Sequence, residues 1–225
     1  MPDPASGSPE GGVVVSVDPT LSENRSVSLL RVEGGNAVLS LSPSRASELA
    51  LTDGQHVDSE EIAARLKRSG VSLNDPDHLF YLSVRDQATL RDESPGAETR
   101  QLSAADRSFF EDFTDEAPED DLDDAFVELD HWLVVGTFID DKLVCVASMY
   151  PWGDTELADL GVITLPEFRG RGLGRTTVRA MSAEALRRGY EPQYRCQLDN
   201  AASAALARSA GFTHFGEWEV IDTGE

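Results

Sequence analysis

Apolar runs and the residues that interrupt them divide the chain into short elements. Trp132 to Ile139 and Leu143 to Trp152 are apolar runs joined by the turn Asp140-Asp141-Lys142, which predicts a β-hairpin. Leu160 to Leu165 predicts a further strand, ended by Pro166, which can neither donate to a ladder nor continue it centrally. Leu173, Thr177, Met181 and Ala185 then recur at helical spacing, so a helix should run to about Arg188 and stop at Gly189. Tyr190 to Gln197 reads as a strand, Asn200 to Ser209 as a helix, and Thr213 to Ile221 as a closing strand or hairpin.

The N-terminal part carries its own elements. Ala37 to Leu41 reads as a strand and Ser44 to Leu51 as a short helix. A longer helix is expected over Asp58 to Ser69, with Asp58 as N-cap, Glu61 completing a capping-box pattern and Gly70 as stop. His78 to Leu82 is a second strand, and Asp92 to Glu98 a linker. After a short strand at Arg100, a helix should start with Ser103 as N-cap and Asp106 in its first turn. In the stretch that follows, Leu122, Phe126 and Leu129 are spaced like one helical face.

Composition sets the outer limits. Three segments are expected: a disordered N-terminus over 1–23, a small α/β accessory region over 24–98, and the principal domain over 99–225. No apolar run approaches the ~18 residues of a membrane span, and the N-terminus lacks the basic start and apolar core of a signal peptide. Cys145 and Cys196 sit on apolar strand-like segments without metal spacing, as expected of buried, reduced residues in a cytoplasmic protein. His56, His78, His131 and His214 show no metal-ligand spacing either, so no metal site is expected.

Charge is distributed unevenly. A formal net charge of −22 argues against nucleic acid and anionic membrane as partners. Eleven of the twenty residues from Glu111 to Asp130 are acidic. That stretch reads first as a solvated helical face and second as a negative mouth for a cationic amine. Eight of the 19 basic residues fall between Arg169 and Arg208, all of them arginine. A basic island on an acidic protein is what a polyanionic ligand requires.

That island begins with Arg169-Gly170-Arg171-Gly172-Leu173-Gly174-Arg175, between the strand at 160–165 and the helix that follows. Alternate glycines allow positive φ and a close backbone approach to a ligand. Their N–H groups and those of the first helical turn make a concave set of donors for phosphate oxygens, with the arginines beside it. The dinucleotide fingerprint fails, because its third glycine would fall at Thr177 or Arg175. The P-loop fails as well, because Gly174 is followed by Arg175-Thr176 rather than Lys and Ser or Thr.

The pattern Arg-x-x-Gly-x-Gly at Arg169, Gly172 and Gly174, after a strand ended by proline, resembles the acyl-CoA-binding motif of the GNAT superfamily, the CoA-dependent N-acetyltransferases. Downstream, Asn200 to Leu206 and the closing Gly211-Phe212 resemble that family's second stretch, Asn-x-x-Ser/Ala-x-x-Leu ending in Gly-Phe. The resemblance covers about 99–225. It implies a GNAT fold: an α/β (α+β) domain with a central mixed, mostly antiparallel sheet flanked by helices.

By the same resemblance, the backbones of Val162, Ile163 and Thr164 would pair with the pantetheine arm of acetyl-CoA, and Arg169, Gly170, Arg171, Gly172, Leu173, Gly174 and Arg175 would hold its pyrophosphate. Asn200 and Ser203 would contact the pantetheine and phosphate side, and Asn200 also reads as a helix N-cap. The chemistry implied is direct attack by a primary amine on the thioester in a ternary complex, which requires a proton acceptor. Asp159 is the first candidate, one residue beyond the family's usual glutamate, so period-two alternation could turn it to the wrong face. Glu156 is the second. Arg195 occupies a position that carries the acid in some members. Ala207 stands where many members have a tyrosine that returns a proton to the thiolate, leaving Tyr194, Ser203 or water for that role.

Tyr150 and Trp152 could line the acceptor groove or simply pack in the sheet. The reading is therefore an N-acetyltransferase using acetyl-CoA, with a non-catalytic acyl-CoA-binding protein of the same fold as the alternative. The accessory region would cap the groove or mediate a homodimer.

Overall fold

A computed structural model describes residues 12–153 and 155–224. The expected disorder over residues 1–11 lies outside the described residues. The chain divides into two compact units. One holds the described residues up to His78 together with those from Phe215 onward, and the other runs from Leu79 to His214. The expected boundary at 98/99 falls within the second of these units.

The first unit is larger than the pattern implied. Its strands are β1 (Gly12–Val17), β2 (Val27–Val32), β3 (Ala37–Leu41) and β4 (His56–Asp58), with α1 (Pro43–Glu48) and α2 (Ser59–Arg68). The sheet order is β4-β1-β3-β2-β11, where β11 (Phe212–Val220) begins in the second unit and ends in this one. Strand β1 corrects the expected disorder over 12–23. Val13 and Val15 are buried against Leu39 and Leu41, and β1 is held in parallel register with β3. Pairing of β2 with β11 joins Leu29 to Glu219 and Leu30 to Trp218. Asp58 caps α2 as expected, its carboxylate accepting the N–H of Glu60 at 2.8 Å.

The second unit contains β5 (Asp77–Leu82, entering from the first), α3 (Val84–Arg91), β6 (Thr99–Gln101), α4 (Arg107–Glu116), α5 (Glu119–Ala125), β7 (Leu133–Ile139), β8 (Lys142–Pro151), β9 (Leu157–Thr164), α6 (Leu173–Arg187), β10 (Glu191–Gln197) and α7 (Ala201–Ala210). Its strands lie in the order β5-β10-β9-β8-β7-β6. β6 to β9 are antiparallel, whereas β9 and β10 are parallel. The result is a mixed, mostly antiparallel sheet flanked by helices. The hairpin turn works as expected, with Asp140 and Asp141 at φ 49° and 62°, the left-handed pair that matches strand twist.

Period-two alternation gives this sheet two apolar faces. Val135, Ala147, Met149, Ala158, Leu160 and Tyr194 face α6 and α7, packing on Val178, Met181, Ala204 and Ala207. Val134, Val146 and Ile163 face the other way, toward Phe113 of α4 and Val127. Asp159 and Gly161 alternate with Ala158 and Leu160, so they belong to the α4/α5 face along with Ile163.

The acidic stretch departs from the expected single helical face. Ala117 and Pro118 separate α4 from α5, and α5 stops before Phe126, which adopts φ 46° and is 53% exposed. Phe126 and Leu129 are therefore off the helix. The end of the helix lies against Gly161, where a Cβ would lie 2.9 Å from the Ala125 carbonyl carbon and closer still to its oxygen. The chain leaves α5 just where its last carbonyl meets the sheet.

Candidate acyl-CoA site

The site forms where β9 and β10 part. Their parallel register runs from Leu157–Glu191 to Leu160–Tyr194. Beyond it, Gly161 to Thr164 stay paired with β8 alone among the described residues, while β10 runs on to Gln197. The N–H of Leu165 bonds to the Val144 carbonyl at 3.0 Å. Main-chain groups alternate in direction along an antiparallel strand, so those of Ile163 and Gly161 also turn to β8. Those of Val162 and Thr164 face the side that β10 has left. Of the three strand residues named from the sequence, Val162 and Thr164 thus turn main chain to the vacated side, and Ile163 turns a buried side chain to the core.

The glycine-rich turn follows directly. Pro166–Phe168 form a single 3₁₀ turn, and Gly170 and Gly172 take φ 72° and 79° with nothing within 4 Å of a Cβ built on either. Gly172 is the N-cap of α6, and the first N–H groups of that 15-residue helix have no partner within it. Arg171, Gly172 and Arg175 are exposed, whereas Gly174 is buried, and a Cβ built on it would lie within 3.4 Å of Thr164 Oγ1 and of Leu206. The turn is open to solvent and ringed by cations. Arg169 donates from Nε to the Thr164 carbonyl at 3.0 Å and pairs through Nη2 with Asp121 of α5. Arg171 donates to the Glu167 carbonyl at 3.0 Å and stacks over Phe168.

Across the splay, Asn200 caps α7 by accepting the Ser203 N–H at 2.9 Å, and the Ser203 hydroxyl bonds to Tyr194 at 2.9 Å. A cavity of about 640 Å³ lies here, lined by Gln197, Asp199, Asn200, Ala201 and Ala202 on one side and by Asp124 of α5 on the other. Ala207 is fully buried in the core beside Tyr194. Tyr194 itself is 1% exposed, and burial raises its pKa.

Asp159 sits on the α4/α5 face, one pair before the strands part, and is 4% exposed. Its carboxylate accepts from Gln193 Nε2 at 3.2 Å, Arg195 Nη2 at 3.2 Å and the Tyr150 hydroxyl at 3.4 Å. Arg195 lies over the Trp152 ring, and Gln193 in turn accepts from the Tyr81 hydroxyl. Glu156 is exposed ahead of β9, where its main-chain carbonyl, not its carboxylate, receives Glu191 N–H. Of the two candidate carboxylates, Asp159 is thus the one held within the sheet where the strands part.

His131 was not singled out by the sequence, since its spacing matches no metal pattern. In the structure its Nδ1 bonds to Ser148 Oγ at 2.8 Å, and its ring lies 5.1 Å from those of Phe126 and Tyr150. Burial lowers its pKa against the opposing pull of Glu128 and Asp130. No sequence signal pointed to it, because its partners come from β8 and the end of α5.

Burial, with Asp159 and Glu191 adding to it, raises the Tyr81 pKa to about 12. A folded-state value above the unfolded one gives stability that is complete below about pH 10 and lost as pH rises through about 12. Tyrosinate absorbance should therefore lag behind that of free tyrosine and then rise together with cooperative alkaline unfolding. Tyr81→Phe should move that unfolding to higher pH.

These features coincide with a family signature. Residues 100–212 match the family model described as Acetyltransferase (GNAT) family. The chain belongs to that family. Among solved structures it is similar to a GNAT-family structure from Novosphingobium aromaticivorans, at 20% identity and a TM-score of 0.50, covering 69% of each chain. It is also similar to a GCN5-related N-acetyltransferase from Kribbella flavida, at 17% identity and a TM-score of 0.50, covering 73% of this chain and 64% of that one. No curated protein sequence matches it. Among the described residues no group of three or more His, Cys, Asp or Glu is placed to hold a metal ion, and no helix is long and apolar enough to cross a membrane.

Proposed function

We propose that the chain is a cytoplasmic N-acetyltransferase that moves an acetyl group from acetyl-CoA to a primary amine by direct attack in a ternary complex. The observation that carries this reading is the exposed Gly170–Gly172 turn capping α6, next to a strand edge that β10 has vacated. The turn offers main-chain donors and arginines to a diphosphate. The Val162 and Thr164 main chain offers a ladder edge to the amide-bearing pantetheine arm. An N–H on that edge is suited to hold the thioester oxygen as charge develops on it.

The amine enters as an ammonium ion and must lose one proton before attack. Asp159 is proposed to take it through the Tyr150 hydroxyl. The nitrogen then bonds to the thioester carbon, the C–S bond breaks, and the second N–H proton passes to the departing sulfur. With alanine at 207, water or the Tyr194–Ser203 hydroxyl pair delivers it. A thiolate of pKa roughly 8 to 9 leaves readily enough without a dedicated acid.

Calorimetry with CoA tests the cradle. Wild type should bind, and Gly172→Val should bind at least about tenfold more weakly, because φ 79° is strained for a β-branched residue and the Cβ enters the phosphate space. Thiol release from acetyl-CoA across an amine panel tests turnover. Tight CoA binding with no amine-stimulated release would select the non-catalytic alternative.

A further inference from the structure

Each oxygen of Asp159 has its own partners. Arg195 Nη2 and the Tyr150 hydroxyl meet Oδ2 at 3.2 and 3.4 Å, and Gln193 Nε2 meets Oδ1 at 3.2 Å. The torsion that turns a carboxylate about its last bond is broad and two-fold, so a hold on each oxygen is what fixes its plane. A guanidinium can only donate, whichever way it turns. An amide has a donor end and an acceptor end of nearly equal shape. Turned over, Gln193 would set its own oxygen against the carboxylate and push it round.

The Tyr81 hydroxyl settles which way the amide faces. It donates to Gln193 Oε1, which leaves Nε2 for Asp159. With its pKa pushed up to about 12, the phenol keeps its proton and stays a donor throughout the neutral range. Gln193 is 5% exposed, so little water reaches the amide to replace that donor. Tyr81 lies on β5, next to β10 in the sheet and ahead of residues 100–212, which match the family model. On the same strand Phe80 packs edge-on against Tyr194 in the α6/α7 core. Alternation therefore turns Tyr81 to the opposite face, the one that holds Asp159.

We propose that Tyr81 is a positioning residue for the acyl transfer: through Gln193 it fixes the plane of the Asp159 carboxylate so that Oδ2 faces the Tyr150 hydroxyl. This rests on the reading of Asp159 as the proton acceptor, and it extends the site to a strand that precedes the family-matched span. The effect falls on proton transfer from the bound amine, because Tyr81 acts on the acceptor group through an intervening side chain.

Tyr81→Phe removes the hydroxyl and keeps the ring. With the amine that stimulates wild type most, kcat for thiol release should fall by about three- to thirtyfold, the range for one lost hydrogen bond that orients a charged group. The KM for the amine and the CoA affinity should stay within about twofold. Gln193→Met keeps the length of the side chain and loses both hydrogen bonds, so it should lower kcat at least as far. In the Gln193→Met background Tyr81→Phe should then cost less than about twofold more, since the path through Gln193 is already cut. Melting curves establish that each variant is folded at the assay temperature. Wild-type kcat in Tyr81→Phe would overturn the proposal by itself, whether or not Gln193→Met folds. So would a raised amine KM at unchanged kcat, which makes Tyr81 a wall of the acceptor groove, or a full additional loss in the double variant, which makes it act independently of Gln193. If Asp159→Asn loses turnover in any of these cases, the reading of Asp159 stands without Tyr81. If Asp159→Asn turns over like wild type, that reading fails and the positioning role fails with it.

Discussion

Replacing Asp159 by asparagine should lower kcat by about 10²- to 10⁴-fold, the range for loss of a general base, while the CoA affinity stays within about twofold. The asparagine oxygen can still accept from Arg195 or Tyr150, so the geometry of the cluster is largely kept while the capacity to take a proton is lost. Asp159→Ala is the less informative variant. It removes the acceptor of the buried Gln193 Nε2, and leaving a buried donor unmet costs about 1–3 kcal/mol. Amine-dependent thiol release, read beside a melting curve, separates the two effects. If Asp159→Asn keeps wild-type turnover, Asp159 is a buttress for Arg195 and Tyr150, and the base lies elsewhere.

How well the sequence announced each part depended on how local its causes are. The cradle was legible because Gly170, Gly172 and Pro166 act through their own backbone: positive φ, a missing Cβ, a missing donor. The N-caps Asp58, Ser103 and Asn200 were legible for the same reason, each bonding within three residues. Strands β1 and β2 were not, because what makes them strands is pairing with partners brought in by the fold. Leu29 of β2 faces Glu219, and no period in the N-terminal sequence refers to the C-terminal end. The break at Phe126 was hidden too. Leu122, Phe126 and Leu129 do have helical spacing, but the carbonyl that ends α5 is seated on Gly161, which is distant in sequence.

Asp159 shows the limit within the site itself. Its residue type made it a candidate, but its face depends on an unbroken β8–β9 register, Tyr150 to Asp159 and Ser148 to Gly161. A single bulge would have turned it into the α6/α7 core, where Ala158 lies fully buried. Its partners come from β8 and β10, so neither the triad of donors nor the Tyr81–Gln193 contact could be read before the strand order was known. Arg195, noted in the sequence only as standing where some members carry an acid, becomes the counter-ion of that carboxylate through the parallel pairing of β9 with β10.

Gly161→Ala should have the largest structural effect of any single methyl addition in the site. The new Cβ would stand 2.9 Å from the Ala125 carbonyl carbon and far inside van der Waals contact with its oxygen, so backbone must move. β9 is held by β8 along its length, whereas α5 packs on the core through the partly buried Leu122 and Ala125. The helix is therefore the part that yields. Overpacking of this kind costs about 1–3 kcal/mol, and the 119–126 amides should exchange faster without any ligand. Amine-dependent turnover should fall by tenfold or more, by roughly the misplacement penalty for a catalytic wall moved about 1 Å. Gly216→Ala supplies the control. Its Cβ would stand 3.0 Å from the Arg31 carbonyl carbon in the other unit, so it should cost comparable stability and leave both CoA binding and turnover per folded molecule unchanged. Equal loss of turnover in the two variants would mean that activity follows global stability and that the seating of α5 on Gly161 has no part in it.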